Sequence, residues 1–230
     1  MRTPRRLIAV LALVPLAWML LPAPTGQTED EAPARREVVS LIAPRGGEVI
    51  ADLGCGRGTW TFALARAVGE QGRVYAVDID PDVLTQVRKE KEKNGIKNVE
   101  IIQSLPDDPL LPDNTLDAVF LNDVVDYVTR DALVGFLDGI RRSLKERGRL
   151  IIRDPNGNPD RVIAECYRAG FSLVEAKVPL PGAPARSFSK EWYALKFQRA
   201  DRRHAILPRQ GRPKRYRTRL HVAEELFRSS

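Results

Sequence analysis

Glycine occupies every second position of a short segment that follows an apolar run containing one acid. The run, residues 49–53, carries Asp52, and Gly54, Gly56 and Gly58 come directly after it. Glycine has no side chain and reaches backbone angles that other residues avoid, so such a loop lets a ligand lie close to the main chain. The segment therefore predicts a ligand site built from backbone groups and one carboxylate at the end of a buried strand.

The spacing of these glycines separates the loop from two common phosphate-binding motifs. A dinucleotide fingerprint reads G-x-G-x-x-G, whereas the third glycine here, Gly58, comes one residue early and Thr59 takes the fingerprint position. A P-loop needs a lysine after its last glycine, and no lysine follows Gly58. A second acid, Asp78, lies twenty residues beyond Gly58, which is close to the spacing of a ribose-binding carboxylate.

Strand and helix patterns alternate along the chain and place the loop at the end of the first strand. The predicted strands are residues 48–53, 73–78, 99–103, 116–122, 149–153, 171–178 and 192–198. The predicted helices are residues 35–42, 59–67, 80–94, 130–144 and 159–169. This alternation predicts an α/β fold, a doubly wound and mainly parallel seven-stranded sheet in a three-layer sandwich. Such sheets bind ligands at the carboxyl ends of their strands.

The loop and the two acids resemble the class I methyltransferases that depend on S-adenosylmethionine. In that family the glycine loop, here Gly54, Gly56 and Gly58, passes under the methionine part of the cofactor. The acid of the first strand, here Asp52, helps to hold the amino group of the cofactor, directly or through water. The acid that ends the second strand, here Asp78, binds both ribose hydroxyls. A carboxylate suits this role because it only accepts hydrogen bonds and a diol offers two donors.

The resemblance continues less closely further along the chain and covers roughly residues 35–199. Asp107 and Asp108 follow the third predicted strand, where the family usually places an acid near the adenine amino group. A solvated turn is an equal explanation for this pair. Residues 117–122 resemble the family's fourth motif, so we expect Asn122 to line the cofactor pocket.

Candidate residues for the reaction itself follow the fourth predicted strand. Methyl transfer from an activated sulfonium mainly requires a nucleophile in the right place, with a base only where that nucleophile must lose a proton. Asp123, Asp126 and Tyr127 are the candidates for a base or a substrate contact, and helix capping explains either acid equally well. The two cysteines, Cys55 and Cys166, lack the spacing of metal ligands, and no metal site is predicted.

A small molecule is the methyl acceptor that the sequence favours. Enzymes that methylate amino groups of nucleic-acid bases often carry Asn/Asp-Pro-Pro-aromatic at this place, whereas residues 122–125 read NDVV. Methylation of metalloids needs several cysteines, and the chain has two. Two alternatives stay open. One is a non-catalytic member of the fold that binds cofactor or a partner at the cell envelope, and the other is an RNA-directed methyltransferase.

The two ends of the chain carry the excess positive charge, although the net charge of the whole chain is +7. Residues 1–26 combine a basic start, an apolar run and a small-residue exit, which is the layout of a signal peptide, with an uncleaved membrane anchor as the alternative. Residues 27–34 are predicted as a linker, 35–199 as the methyltransferase domain and 200–230 as a basic tail. The tail suits RNA or anionic lipid headgroups. We therefore expect an exported or membrane-anchored protein, with the cytoplasmic face as the other option.

Overall fold

A computed structural model describes residues 32–155, 158–178 and 192–200, with side chains from residue 37 onward. The chain divides into two units, Met1–Arg199 and Ala200–Ser230. The predicted signal or anchor segment lies outside the described residues, and so does the predicted basic tail apart from Ala200. The fold described below therefore belongs to the first unit.

Helices and strands alternate through the described residues in the predicted order. The helices are α1 (Ala32–Ile42), α2 (Thr59–Val68), α3 (Pro81–Lys93), α4 (Arg130–Ser143) and α5 (Pro159–Arg168). The strands are β1 (Val49–Leu53), β2 (Arg73–Asp78), β3 (Val99–Gln103), β4 (Leu116–Asn122), β5 (Leu144–Asp154), β6 (Phe171–Lys177) and β7 (Tyr193–Arg199). A single 3-10 turn, Val125–Tyr127, separates β4 from α4.

The seven strands form one sheet in the order β3-β2-β1-β4-β5-β7-β6. The first five strands pair in parallel, and β7 runs antiparallel between β5 and β6. Strand order reverses between β1 and β4, and a ligand crevice opens at such a point because the connections leave in opposite directions. The prediction of a doubly wound, mainly parallel seven-stranded sheet is confirmed.

Helices cover both faces of the sheet and complete three layers. On one face α1, α2 and α3 pack through buried side chains such as Leu41, Leu64 and Val87. On the other face α4 and α5 pack through side chains such as Phe136 and Val162. The central strands are buried on both faces, which is why they read as continuous apolar runs in the sequence.

Helix caps fix the chain where it leaves the carboxyl edge of the sheet. Helix α2 begins directly after Gly58, which takes the left-handed conformation with φ +83°. Asp80 caps α3 by accepting a hydrogen bond from the Asp82 N–H at 2.8 Å, and Pro81 fits the first turn because its nitrogen has no hydrogen to donate. The glycine loop and the end of β2 are thereby held by regular structure on both sides.

Two elements begin well before their predicted start, and one turn was not predicted. Strand β5 begins at Leu144, because Leu144 pairs with Leu116 before the register shifts and Arg149 pairs with Ala118. Helix α1 begins at Ala32, inside the segment predicted as a linker. The 3-10 turn after β4 was not predicted. Among the helices of the described residues, none combines the length and apolarity needed to cross a bilayer.

Candidate active site

The glycine loop is tied to the second strand by main-chain hydrogen bonds. The N–H groups of Gly54 and Cys55 both donate to the carbonyl of Val77, at 2.8 and 3.0 Å. Gly54, Gly56 and Gly58 all have positive φ, at 68°, 51° and 83°. This conformation is costly for residues with a Cβ, so the alternating glycines are explained by the path of the backbone.

The three glycines differ in what surrounds them. A Cβ added at Gly54 would lie 2.3 Å from the Val124 side chain, and one added at Gly58 would lie 2.6 Å from Phe62. A Cβ added at Gly56 would meet no heavy atom within 4 Å. Gly54 and Gly58 therefore serve close packing inside the protein, whereas Gly56 leaves open space over the backbone for a ligand.

Asp78 lies half-buried at the end of β2 and faces the loop. Its Oδ2 atom accepts a hydrogen bond from the Gly56 N–H at 3.0 Å, and its Oδ1 atom accepts one from the Asp80 N–H at 3.1 Å. A carboxylate has about four acceptor positions, so two remain for donors from a ligand. The structure therefore brings Asp78 and the glycine loop, two parts of the predicted site, into direct contact.

Asp52 lies behind the loop and is only 1% exposed. Its Oδ2 atom accepts a short hydrogen bond from the Thr61 hydroxyl, at 2.6 Å. Burial raises the pKa of Asp52 from 3.8 to about 7, hydrogen bonds from Thr61 oppose the rise, and the negative charge of Asp78 adds to it. The structure joins Asp52 to the first turn of α2 and does not place it among the residues that line the cleft described next.

A cleft of about 370 Å³ opens where β1, β2 and β4 end. Four predicted site residues line it: Gly54, Asp78, Asp123 and Tyr127. The remaining lining is mainly apolar and comes from the ends of β1 and β2, the loop after β3, the turn after β4 and helix α4: Leu53, Val77, Ile79, Ser104, Leu105, Pro106, Val124, Val128, Thr129, Ala132 and Phe136. The volume lies within the range of sites for small organic ligands.

The expectation that Asp107 and Asp108 meet the adenine amino group is not supported by the geometry, because neither lines the cleft. Asp108 accepts from the Leu110 N–H at 2.9 Å and forms an ion pair with Arg142 at 3.3 Å. The Asp107 carbonyl lies 2.8 Å from where a Cβ would stand on Gly135 of α4. The contacts of Asp107 and Asp108 therefore favour the interpretation as a turn. Ser104, Leu105 and Pro106 form the cleft wall after β3.

The three residues proposed for the reaction are placed differently after β4. Asp123 has φ +59°, a left-handed conformation that is uncommon outside glycine. Its Oδ1 atom is buried and makes no hydrogen bond among the described residues, and its N–H donates to the Arg153 carbonyl at 2.8 Å. Tyr127 lines the cleft but is 77% exposed, and Asp126 is exposed and does not line it. Asp123 is therefore the carboxylate best placed to act in the cleft.

Asn122 ends β4 and has partners that sequence reasoning missed. The Arg153 Nη1 atom donates to the Asn122 Oδ1 atom at 2.5 Å. The Arg153 guanidinium lies 3.7 Å above the ring centre of Trp192. Arg153 lies on β5 and Trp192 directly precedes β7, both far from Asn122 along the chain, and neither has a local motif that could have identified it. The lining residues do not include Asn122 itself.

Within residues 32–155, 158–178 and 192–200, no group of three or more His, Cys, Asp and Glu side chains could hold a metal ion. Cys55 and Cys166 are both buried and free. Burial raises the pKa of each thiol above its ordinary value, and the nearby carboxylates Asp52 and Asp78 add to the rise at Cys55. Neither thiol is thereby prepared to act as a nucleophile near neutral pH.

Comparison with known families agrees with this architecture. Residues 44–199 match the family described as "Methyltransferase domain". The match covers well over half of the chain, so the chain belongs to this methyltransferase family. S-adenosylmethionine is the cofactor of the family, and the resemblance drawn from the glycine loop and Asp78 is confirmed.

Two curated relatives illustrate the sequence similarity. Aklanonic acid methyltransferase DauC from Streptomyces sp. (strain C5) is 35% identical over 107 residues, which cover 44% of this chain and 49% of the relative. Demethylmenaquinone methyltransferase from Geobacillus stearothermophilus is 33% identical over 99 residues, covering 41% of this chain and 42% of the relative. The matched region thus spans about half the length of these relatives or less.

Solved structures share the fold at low sequence identity. A methyltransferase dependent on S-adenosylmethionine from Aquifex aeolicus aligns with a TM-score of 0.63 at 21% identity, covering 75% of this chain and 94% of that one. A geranyl diphosphate C-methyltransferase from Streptomyces coelicolor A3(2), solved with Mg²⁺, geranyl diphosphate and S-adenosyl-L-homocysteine, aligns with a TM-score of 0.60 at 17% identity, covering 74% and 81%. These similarities establish the fold.

The residues of the cleft fit the family's cofactor. The open space over Gly56 admits a ligand against the backbone, and the two remaining acceptor positions of Asp78 suit the two hydroxyls of a ribose. Ile79 and Leu105 are about half exposed on the cleft wall, where a flat heterocycle would cover them. The ribose and the heterocycle of the cofactor thus each have a chemically suitable counterpart in this chain.

Proposed function

We propose that this protein transfers a methyl group from S-adenosylmethionine to a small organic molecule. The observation that carries the proposal is the cleft of about 370 Å³, whose lining brings together Asp78, Gly54 of the glycine loop and the strained Asp123. Relatives named for aklanonic acid and demethylmenaquinone support a small acceptor. The mainly apolar lining supports an acceptor with a substantial hydrocarbon or aromatic part.

Different residues of the cleft bind the cofactor and the methyl acceptor. When bound, S-adenosylmethionine supplies a methyl group on a positively charged sulfur, which becomes a neutral thioether as the carbon–sulfur bond breaks. Asp78 holds the ribose and Gly56 leaves room beside the backbone. At the other end, Val124 and Tyr127 border the acceptor, and Asp123 takes a proton where the acceptor must lose one.

Calorimetry and turnover together test this proposal. We expect S-adenosyl-L-homocysteine to bind the full chain with a measurable heat, and labelled S-adenosylmethionine to transfer its methyl group to a member of a panel of phenols, quinols and carboxylic acids. Absence of any binding heat would contradict both the enzymatic function and the non-catalytic alternative. Binding without turnover on the panel, combined with methylation of added RNA, would favour the RNA-directed alternative.

We also propose that residues 1–26 direct the protein to the membrane or beyond it, and that the tail from residue 200 contacts anionic lipid headgroups. The support is the sequence pattern of a basic start followed by an apolar run, and the arginine-rich composition of the tail. Cell fractionation with sequencing of the mature N-terminus tests the first statement. Sedimentation with phosphatidylglycerol vesicles, with and without residues 200–230, tests the second against RNA binding.

A further inference from the structure

The contact between Arg153 and Asn122 determines which way the Asn122 side chain presents its amide. The guanidinium of arginine has donors and no acceptor, so the Asn122 atom that lies 2.5 Å from Arg153 Nη1 must be the oxygen. The amide nitrogen, Nδ2, therefore points away from Arg153. Among the described residues, Nδ2 makes no hydrogen bond, and Asn122 is only partly buried. Asn122 thus offers hydrogen-bond donors to whatever lies next to it.

Arg153 is well placed to keep this orientation fixed. It is 5% exposed, its guanidinium stacks over Trp192 at 3.7 Å, and Trp192 is itself 4% exposed. Its carbonyl also accepts the hydrogen bond from the Asp123 N–H at 2.8 Å. Arg153, at the end of β5, therefore contacts both residues. Its side chain binds the Asn122 amide, and its carbonyl binds the Asp123 N–H.

The amide lies next to the glycine loop and the cleft. Leu53 pairs with Leu121, so the next residues along these strands, Gly54 and Asn122, lie side by side at the carboxyl edge. Asp123 and Val124, which follow Asn122, line the cleft. Asn122 itself is not a lining residue, but its amide lies beside Gly54 and Asp123, which line the end of the cleft where the proposed methyl acceptor enters. A charged donor on the amide oxygen also polarises the amide and strengthens these donors.

A donor at this place discriminates between acceptor atoms. The nitrogen of a neutral amine has one lone pair, and a hydrogen bond from Asn122 to that pair blocks the attack on a methyl group. A hydroxyl or deprotonated oxygen has at least two lone pairs, so it accepts the hydrogen bond and still attacks. The same hydrogen bond stabilises the negative charge that the oxygen gains as it loses its proton.

We propose that Arg153 is a positioning residue that fixes Asn122 as a hydrogen-bond donor, so that the site selects a methyl acceptor with an oxygen nucleophile, a phenol, enol or carboxylic acid, over an amine. This inference rests on the proposed methyltransferase function and names its substrate class. In the step it favours, the acceptor loses its proton to Asp123 or water, and the oxygen lone pair forms the new bond to the methyl carbon. The electron pair of the broken carbon–sulfur bond returns to sulfur.

Substitution of Arg153 by glutamine tests the orientation directly. A glutamine side chain both donates and accepts, so in R153Q the Asn122 amide is free to turn its oxygen toward the acceptor. The probes are matched pairs with the same ring system, 1-naphthol against 1-naphthylamine and phenol against aniline. We expect the wild type to favour the hydroxyl member in kcat/KM by roughly tenfold or more, and R153Q to lower that ratio by roughly tenfold, the effect of about one hydrogen bond.

A matched control and a second measurement keep the test decisive. R73K changes an exposed arginine at the opposite end of β2, which forms an ion pair with Glu100 at 2.8 Å, and should leave the ratio unchanged. Selective ¹⁵N-asparagine labelling then follows the Asn122 amide in the wild type saturated with S-adenosyl-L-homocysteine, with N122D identifying its signal. A shift of that signal with 1-naphthol and none with 1-naphthylamine supports the proposal even where R153Q folds poorly or neither probe is methylated.

The outcomes separate this inference from the proposed function. Equal turnover of both members, a preference for amines, or an unchanged ratio in R153Q with a folded protein overturns the selection of oxygen. An Asn122 signal that ignores both probes, or responds to them equally, overturns it as well. Failure to bind S-adenosyl-L-homocysteine contradicts the proposed function itself and is read from the calorimetry, before any acceptor is added.

Discussion

The N–H of Gly56 donates a hydrogen bond to the Oδ2 atom of Asp78 at 3.0 Å, across 22 residues of sequence. This bond makes the most open position of the glycine loop and the acid at the end of β2 parts of one site. Asp78 holds the loop through this hydrogen bond and has further acceptor positions for a ligand. A substitution that keeps the hydrogen bond but removes the charge can therefore separate the two roles.

Replacement of Asp78 by asparagine should weaken cofactor binding without unfolding the protein. Asparagine still accepts the hydrogen bond from Gly56, but it loses the charge and an acceptor for the ribose hydroxyls. A hydrogen bond to a charged group is worth about 1.5–3 kcal/mol, so we expect the affinity for S-adenosyl-L-homocysteine to fall roughly 10- to 100-fold by calorimetry. D82N, an exposed neighbour on α3, is the control. An affinity of D78N within twofold of the control would argue against the ribose role.

Alanine substitutions at two glycines of the loop should affect protein stability and cofactor affinity to different extents. In G54A the new Cβ would lie 2.3 Å from Val124, whereas in G56A it meets no atom within 4 Å. Both variants also lose about 1–2 kcal/mol of stability, because alanine must adopt a positive φ there. We therefore expect G56A to lose cofactor affinity with a loss of stability of about that size. G54A should lose clearly more, by the overpacking cost of about 1–3 kcal/mol.

A double variant checks the reason for that difference. V124A removes the methyl groups that collide with the new Cβ of G54A, so G54A/V124A should be more stable than the sum of the two single changes predicts. The measurement is the free energy of unfolding in urea. Strict additivity of G54A and V124A would show that the contact with Val124 is not what requires a glycine at position 54.

The buried carboxyl of Asp52 should make stability depend on pH in a defined direction. Its pKa is raised from 3.8 to about 7, chiefly by burial. Between these values the unfolded chain has released the proton that the folded protein still holds, so stability falls as pH rises from about 4 to about 7 and levels off above. The rise in pKa corresponds to at most about 4 kcal/mol.

The variant D52N isolates this effect from the other acids of the chain. Asparagine accepts the hydrogen bond from the Thr61 hydroxyl and does not ionise. The stability of D52N relative to wild type should therefore increase between pH 4 and pH 7 and stay constant above pH 8. Urea unfolding of both proteins at each pH gives this difference. A difference that does not change with pH would mean that the pKa of Asp52 is the same in the folded and the unfolded protein.

Replacement of Asp123 by asparagine should reduce catalysis without affecting cofactor binding. Asparagine tolerates the left-handed conformation of φ +59° but does not act as a base at neutral pH. We expect D123N to keep its thermal stability and its affinity for S-adenosyl-L-homocysteine, and to lose roughly 10²-fold or more in kcat with an acceptor that must be deprotonated. The companion D126N, an exposed residue outside the cleft lining, should retain kcat. Equal losses in both variants would contradict the role of Asp123.

Local signals in the sequence were sufficient for the fold and for one half of the site. The glycines, Asp52 and Asp78 lie within or just after strands whose apolar runs are unambiguous, and Asp80 followed by Pro81 marks the start of α3. The relevant contacts are formed by consecutive elements around β1 and β2, so spacing along the chain predicts proximity. This is why the family resemblance could be drawn from residues 52–78 alone.

The proposed acceptor half of the site depends on contacts between distant parts of the chain. Asn122 owes its orientation to Arg153 on β5 and, through it, to Trp192 next to β7. The position of Asp108 after β3 left a cofactor contact and a turn as equal explanations, and its ion pair with Arg142 joins it to α4. The early start of β5 at Leu144 rests on pairing with Leu116. Sequence spacing contains no information on which of these partners meet.

A largely buried ion pair at the amino-terminal edge of the sheet gives the last prediction. Arg149 forms an ion pair with Glu48 at 2.7 Å, and both side chains are 13% exposed. The guanidinium also donates to the carbonyls of Ile42 at 2.5 Å and Ala43 at 3.0 Å, where α1 ends. One side chain thus joins β5, the start of β1 and the end of α1.

Removal of that arginine should destabilise the protein far more than removal of an exposed one. R149M leaves the Glu48 carboxylate largely buried without its partner, and breaking a pair of this kind costs about 3–5 kcal/mol. R73M breaks the Arg73–Glu100 pair, whose side chains are about half exposed, and should cost less than about 1 kcal/mol. The double variant R149M/E48Q should regain part of the loss, since no buried charge is left. Equal unfolding free energies for R149M and R73M would contradict a structural role for the buried pair.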